Sequence, residues 1–114
     1  MKTLRILLFI IFFVEGVTKL IGLQFQTDFF TAWGYPLWFM YVVGVLELAG
    51  ALGLLMSKYR LCATIGLLGI MVGAFYTHIS RNDPPQMMGL AILASTLLSL
   101  HLFFLIKKNK EISI

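Results

Sequence analysis

Four long apolar windows separated by short polar connections take up most of this chain, and they restrict it to folds that a bilayer can hold. They run from Leu4 to Leu23, Leu37 to Met56, Arg60 to Ser80 and Gln86 to Ile106. Each is close to the roughly 20 apolar residues that an α-helix needs to cross about 30 Å of hydrocarbon. The connections read "QFQTDFFTAWGYP", "SKY" and "RNDPP", and the paired prolines of the last cannot continue a helix. Short connections make consecutive helices antiparallel neighbours. The expected fold is therefore all-α and integral to the membrane: a four-transmembrane-helix up-and-down bundle forming a single domain over residues 1–114. A soluble alternative fails on composition. The chain is 60% hydrophobic and 12% charged, against roughly 25% charged in soluble domains.

The few charges carry topological information. Lys2 and Arg5 at the start, Lys58 and Arg60 in the second connection, and Lys107, Lys108 and Lys110 in the tail place seven cations on one side. The other side has Arg81 alone. The positive-inside rule then puts both termini in the cytoplasm, at what is expected to be a bacterial inner membrane. No basic face or stripe forms, so the net charge of +4 does not point to nucleic acid. The opening "MKTLRILLFIIFFV" has the basic start and apolar run of a signal peptide. It lacks a small-residue cleavage site, and the expectation is an uncleaved first helix. One cysteine, Cys62, permits neither an internal disulfide nor a CxxC pair nor a thiolate cage, and no metal site is expected. Gly66, Gly69 and Gly73 in the third window, with Gly44, Gly50 and Gly53 in the second, are expected to let helix backbones approach closely.

Within this frame "FFVEGVTKLIG" stands out, because it sets Glu15 and Lys19 inside the first window. Counted from the cytoplasmic ends, Glu15 is the twelfth residue of its span and Glu47 the tenth of its own. At about 1.5 Å per residue they lie within roughly 3 Å of each other in depth. Lys19 is one turn beyond Glu15 on the same face, in the favourable Glu-before-Lys order. A charge at a helix centre costs about 2.5 to 3.5 kcal/mol on the insertion scale. A pair at about 4 Å returns about 4 kcal/mol at an effective dielectric near 20. The pair alone roughly breaks even, so both side chains are expected to face the bundle interior, where further polar groups complete the compensation. Glu47 has no cation of its own unless it shares Lys19 or meets His78. A carboxyl whose charge follows its partner suits proton-coupled chemistry, whereas the plainer reading is a buried network that only fixes helix packing.

Tyr41, Tyr76, Thr77 and His78 occupy levels from that of Lys19 to the outer interface, with Phe29, Phe30, Trp33, Tyr35, Trp38 and Phe39 above them. Tryptophan and tyrosine gather at membrane interfaces in any case. The sharper reading is an outward-opening cavity with an aromatic rim and a charged floor, suited to a flat lipophile such as a quinone. His101 lies about 20 Å from His78 in depth, so the two cannot ligate one haem iron within a chain. His101 is expected to be structural or interfacial.

The segments "GVTKLIG", "AWGYPLWFMYVVGVLELAGALGLL", "SKYR" and "IGLLGIMVGAFYTHIS" together resemble, in order and spacing, the DoxX-like membrane proteins. The resemblance covers nearly the whole chain and implies a four-helix integral membrane fold. Some relatives are taken as subunits of quinone-linked oxidoreductase systems, including thiosulfate oxidation, and some animal relatives act in receptor assembly. Lys19, Glu47 and His78 fall on the family's motif positions, with Glu15 and Tyr35 beside them. The resemblance implies no catalytic set.

Three functions remain open on these grounds. The first is a subunit of a membrane redox system, holding a quinone-like lipophile among Glu15, Lys19, Glu47, His78, Tyr41 and Tyr35 and working with a partner chain. The second is a non-catalytic assembly or interaction protein with a client chain. The third is proton-coupled export, because small multidrug transporters are of similar length with four spans and a glutamate midway along the first. Their glutamate lacks a lysine one turn away. The glycine-rich faces also permit a homo-oligomer.

Overall fold

The structure, a computed structural model, describes residues 2–81 and 89–113. Among these are five helices and no strand: α1 (Lys2–Leu20), α2 (Gln24–Ala32), α3 (Leu37–Leu55), α4 (Arg60–Ser80) and α5 (Gly89–Ser113). The expected start of the last span at Gln86 and the prolines of "RNDPP" lie outside the described residues. Helices α3, α4 and the stretch Ala91–Lys108 of α5 are long and apolar enough to cross a membrane. Helices α1 and α2 qualify only together, as a pair bent by 79°. The described residues therefore hold three candidate spans, or four if the bent pair is one.

The first connection departs from expectation, since it holds a helix where the sequence suggested a long loop. Gly22, at φ 68°, ends α1 two or three residues before the expected boundary. Its N–H donates to Lys19 O and that of Leu23 to Thr18 O, the paired bonds of a Schellman cap. The chain then turns and becomes helical again. Gln26 and Phe30, one turn apart, are buried, while Gln24 donates to Asp28 on the exposed side at 2.7 Å. A second Schellman cap closes α2. Gly34 is at φ 82°, and the N–H groups of Gly34 and Tyr35 donate to Thr31 O and Phe30 O. The rings of Phe30 and Tyr35 meet across this turn at 6.2 Å, and Pro36 follows at the N-cap of α3.

The long helices form a closed ring in which α1 lies against α3 and α5, and α4 lies between α3 and α5. Helix α2 folds over α1 and α3. The core between them comprises Leu8, Phe12, Ala51, Leu54, Leu67, Met71, Ala91, Ala94 and Leu98. Large apolar side chains also cover the outside, Val14, Val45, Ile65, Val72 and Phe103 among them, each more than half exposed. That is the surface of a protein whose solvent is hydrocarbon.

Two polar devices order the end of the bundle opposite α2. Arg60 Nε donates to Leu54 O at 2.8 Å, satisfying a carbonyl that the end of α3 leaves without a helical partner. Thr64 Oγ1 donates to Arg60 O at 2.8 Å and lies 2.9 Å from His101 Nδ1. Since a hydroxyl has one proton, His101 is the donor in the second bond. His101 is fully buried, so of the two roles expected for it the structure supports the structural one.

The glycines divide into two classes. A Cβ on Gly16 would stand 2.8 Å from Gly44 O, and one on Gly44 would stand 2.9 Å from Lys19 Cβ. Likewise a Cβ on Gly50 would lie 2.6 Å from Leu67 and one on Gly53 would lie 3.0 Å from Ala63. These positions set the α1–α3 and α3–α4 distances. Gly66, Gly69 and Gly73 differ, because among the described residues a Cβ there would meet nothing within 4 Å. The expectation that they pack helices within the chain is therefore corrected. Gly16→Val is expected to destabilise the protein by about 1 to 3 kcal/mol through overpacking, and Gly66→Ala to leave it as stable or more so, as judged by unfolding in a detergent titration. Equal losses at the two sites would show that the α1–α3 interface does not depend on close backbone approach.

Candidate functional site

Lys19 is the centre of the site. It sits on the buried face of α1 with Phe12 and Gly16, and its Nζ lies 2.9 Å from Glu15 Oε2 and 2.7 Å from Glu47 Oε1. The first contact is the i,i+4 pair expected from spacing. The second joins α1 to α3, so Glu47 shares Lys19. It is possible because Gly44 has no side chain where Lys19 Cβ passes. The Lys19 and Glu47 side chains are 7% and 2% exposed, and that of Glu15 is 21% exposed.

Helix α2 completes the floor. Gln26, buried like Lys19, donates through Nε2 to Glu15 Oε2 at 3.2 Å and to Thr18 Oγ1 at 3.0 Å. Thr18 in turn donates to Glu15 O. Both N–H bonds of the Gln26 amide are thereby used. Lys19 donates to Glu15 Oε2 and is ion-paired with Glu47 Oε1, which accepts no hydrogen bond among the described residues. A carboxylate has about four acceptor sites. The floor therefore keeps both donor and acceptor capacity.

Above the floor lies a cavity of about 650 Å³ lined by α1, α2, α3, α4 and the start of α5. Phe25, Phe29, Phe30, Trp33, Tyr35 and Phe39 form its aromatic wall. The Trp33 ring meets the His78 ring edge-on at 5.2 Å. Tyr35 OH lies 2.9 Å from Thr77 Oγ1, and Thr77 donates to Gly73 O. Tyr35 is therefore the donor to Thr77, and its own oxygen remains able to accept.

Of the residues singled out from sequence, Glu15, Lys19, Tyr35, Glu47 and His78 all line this one cavity. Tyr41 is not among the lining residues. It is 41% exposed, because the buried stripe of α3 runs through Met40, Gly44, Glu47, Ala51 and Leu54 and Tyr41 falls beside it. Trp38, expected in the rim, is 65% exposed and also lies outside the lining. Sequence reasoning missed Gln26. Its signal was the i,i+4 spacing with Phe30, which identifies a buried face only once the segment is read as a helix.

The chain belongs to the DoxX-like family, whose pattern matches residues 3–100. It is similar to the uncharacterized protein YdgD of Bacillus subtilis (strain 168), at 28% identity over 101 residues, 85% of this chain and 89% of that protein. No solved structure matches it. Family and apolar helices together make it an integral membrane protein.

Removing the shared cation leaves two carboxylates facing each other in a buried space. Lys19→Met is expected to cost about 3 to 5 kcal/mol, the usual effect of breaking a buried pair, and Lys19→Met with Glu47→Leu to recover much of that loss in the same unfolding assay. A single substitution costing under about 1 kcal/mol, the range of an exposed pair, would mean that the ion triad does not hold α1 to α3.

Proposed function

We propose that this DoxX-like chain is a small subunit of a membrane redox system that holds a quinone-like lipophile in the aromatic cavity above Lys19. The observation that carries this reading is the pairing of an apolar, aromatic wall with a floor that can both donate and accept. The flat ring of a quinone suits the wall. Its carbonyl would accept from Lys19, and the hydroxyl of its reduced form would donate to Glu47, so one floor suits both forms. Electrons would come from or pass to a partner chain. In this reading Glu15, Lys19, Tyr35, Glu47 and His78 are the binding residues, and Tyr41 drops out.

The same reading takes the bent pair α1 and α2 as one span of a four-span, single-domain bundle. The seven-to-one distribution of cations supports cytoplasmic termini at a bacterial inner membrane. A second reading, an assembly protein without chemistry, draws on a different observation. Glu15, Thr18, Lys19, Gln26 and Glu47 bond one another across three helices, as a scaffold requires. Proton-coupled export has less support, since Glu15 is engaged with both Lys19 and Gln26.

Native mass spectrometry on protein taken gently from its own membrane separates these readings. A quinone-sized adduct on the wild type that is lost in Glu47→Gln is the expected result. Retention of the adduct in the variant would rule out a role for that carboxylate, and a stoichiometric protein partner without any small molecule would favour the scaffold.

A further inference from the structure

We propose that the face of α4 formed by Gly66, Gly69 and Gly73 is a lateral window in the cavity wall through which the apolar tail of the ligand runs into the bilayer. The ligand class is then a polar ring carrying a long chain, drawn from the membrane and not from water. This rests on the reading of the cavity as a lipophile site.

The three glycines are exposed, have no described neighbour within 4 Å of where a Cβ would stand, and yet line the same cavity as Lys19 and Glu47. Glycine in a helix interior costs about 1 kcal/mol relative to alanine. Gly44, Gly50 and Gly53 have a packing reason for that cost, whereas the α4 face has none among the described residues. Open space beside it is what the glycines provide.

Register places the opening at the charged floor. Gly50 faces Leu67 and Gly53 faces Ala63, so α3 and α4 run antiparallel and Glu47 is level with Ile70. Gly69 therefore lies within about one residue of the level of Glu47, and the stretch from Gly66 to Gly73 spans about 10 Å around that level. The side of α3 next to it carries Val42 and Leu46, 44% and 52% exposed, which also line the cavity. A head group held at Lys19 would thus have an apolar path directly outward. Glu47, 1% exposed and with its Oε1 accepting no hydrogen bond beyond the ion pair, is the polar group that faces such a head. A helix from a second copy would instead close the opening over the charged floor.

The test compares two probes that share a ring, menadione without a tail and menaquinone with an isoprenoid tail. Each is titrated into protein in nanodiscs and followed by quenching of Trp33 in a Trp38→Phe background. Gly69→Leu fills the window. It is expected to weaken menaquinone about tenfold more than menadione, a difference of about 1.4 kcal/mol, and Gly69→Ala to have a smaller effect of the same sign. Equal weakening of both probes, or of neither, overturns the window. Loss of a dimer on Gly69→Leu with both probes still bound assigns the face to a second copy and also overturns it. Failure of both probes to bind the protein before any substitution at Gly69 overturns the quinone reading itself, and is seen separately from the effect of the substitution. Should Gly69→Leu not fold, Gly69→Ala decides by the same comparison.

Discussion

The contact of Lys19 with both Glu15 and Glu47 is the interaction around which the rest of this structure is organised. One cation between two carboxylates, nearly all of it out of water, is stable in an apolar medium only if the geometry is close and the leftover polar valences are met. Closeness comes from Gly16 and Gly44, which bring the backbones of α1 and α3 together where Lys19 crosses. The leftover valences are met partly by Gln26, and that requires α2 to fold back over the bundle. The sharp turn at Gly22 is thus a condition of the charged floor as well as the end of a helix.

The same contact explains why a cavity exists at all. Charged side chains at the middle of a bundle cannot be covered by close-packed aliphatic groups without losing their remaining hydrogen bonds, so the walls above them stand apart. Aromatic residues of α2 and α3 supply those walls, and Tyr35 and Thr77 tie the α2–α3 connection to α4. At the other end of the bundle nothing of this kind is required. There Thr64 pairs with His101 Nδ1, Arg60 caps α3, and the core closes on Leu8, Leu54 and Leu98.

Two similar glycine patterns have opposite consequences. Gly44, Gly50 and Gly53 on α3 draw neighbouring helices in, whereas Gly66, Gly69 and Gly73 on α4 have no described neighbour within 4 Å of a Cβ position. Spacing alone cannot separate the two cases, because a small residue permits either a close neighbour or an empty space. The difference depends on which face of α4 meets α3 and α5. Thr64, Leu67, Met71, Thr77 and His78 are the buried residues of α4, and the glycines lie off that stripe.

Much of the architecture was legible in the sequence because hydrocarbon leaves a helix few alternatives. Long apolar windows must be helical so that their backbone groups are satisfied within the segment, and α3 and α4 fall within a residue of the windows expected for them. The pairing of Glu15 with Lys19 was also legible, being a matter of helical periodicity. The sharing of Lys19 with Glu47 was open on sequence alone, as depth showed that the two could meet but not that they faced each other. Helix α2 was not legible, since its buried face is only Gln26 and Phe30 within nine mixed residues, too short for periodicity to show. Nor was the exclusion of Tyr41, which depends on the rotation of α3 about its axis. Sequence by itself thus determined which long segments are helices and where the charges sit along them, because those follow from local composition and a fixed rise per residue. Tertiary structure decided which of those groups meet, which glycines pack and which residues line the cavity, because each depends on the rotation and approach of helices whose contacts are distant in the chain.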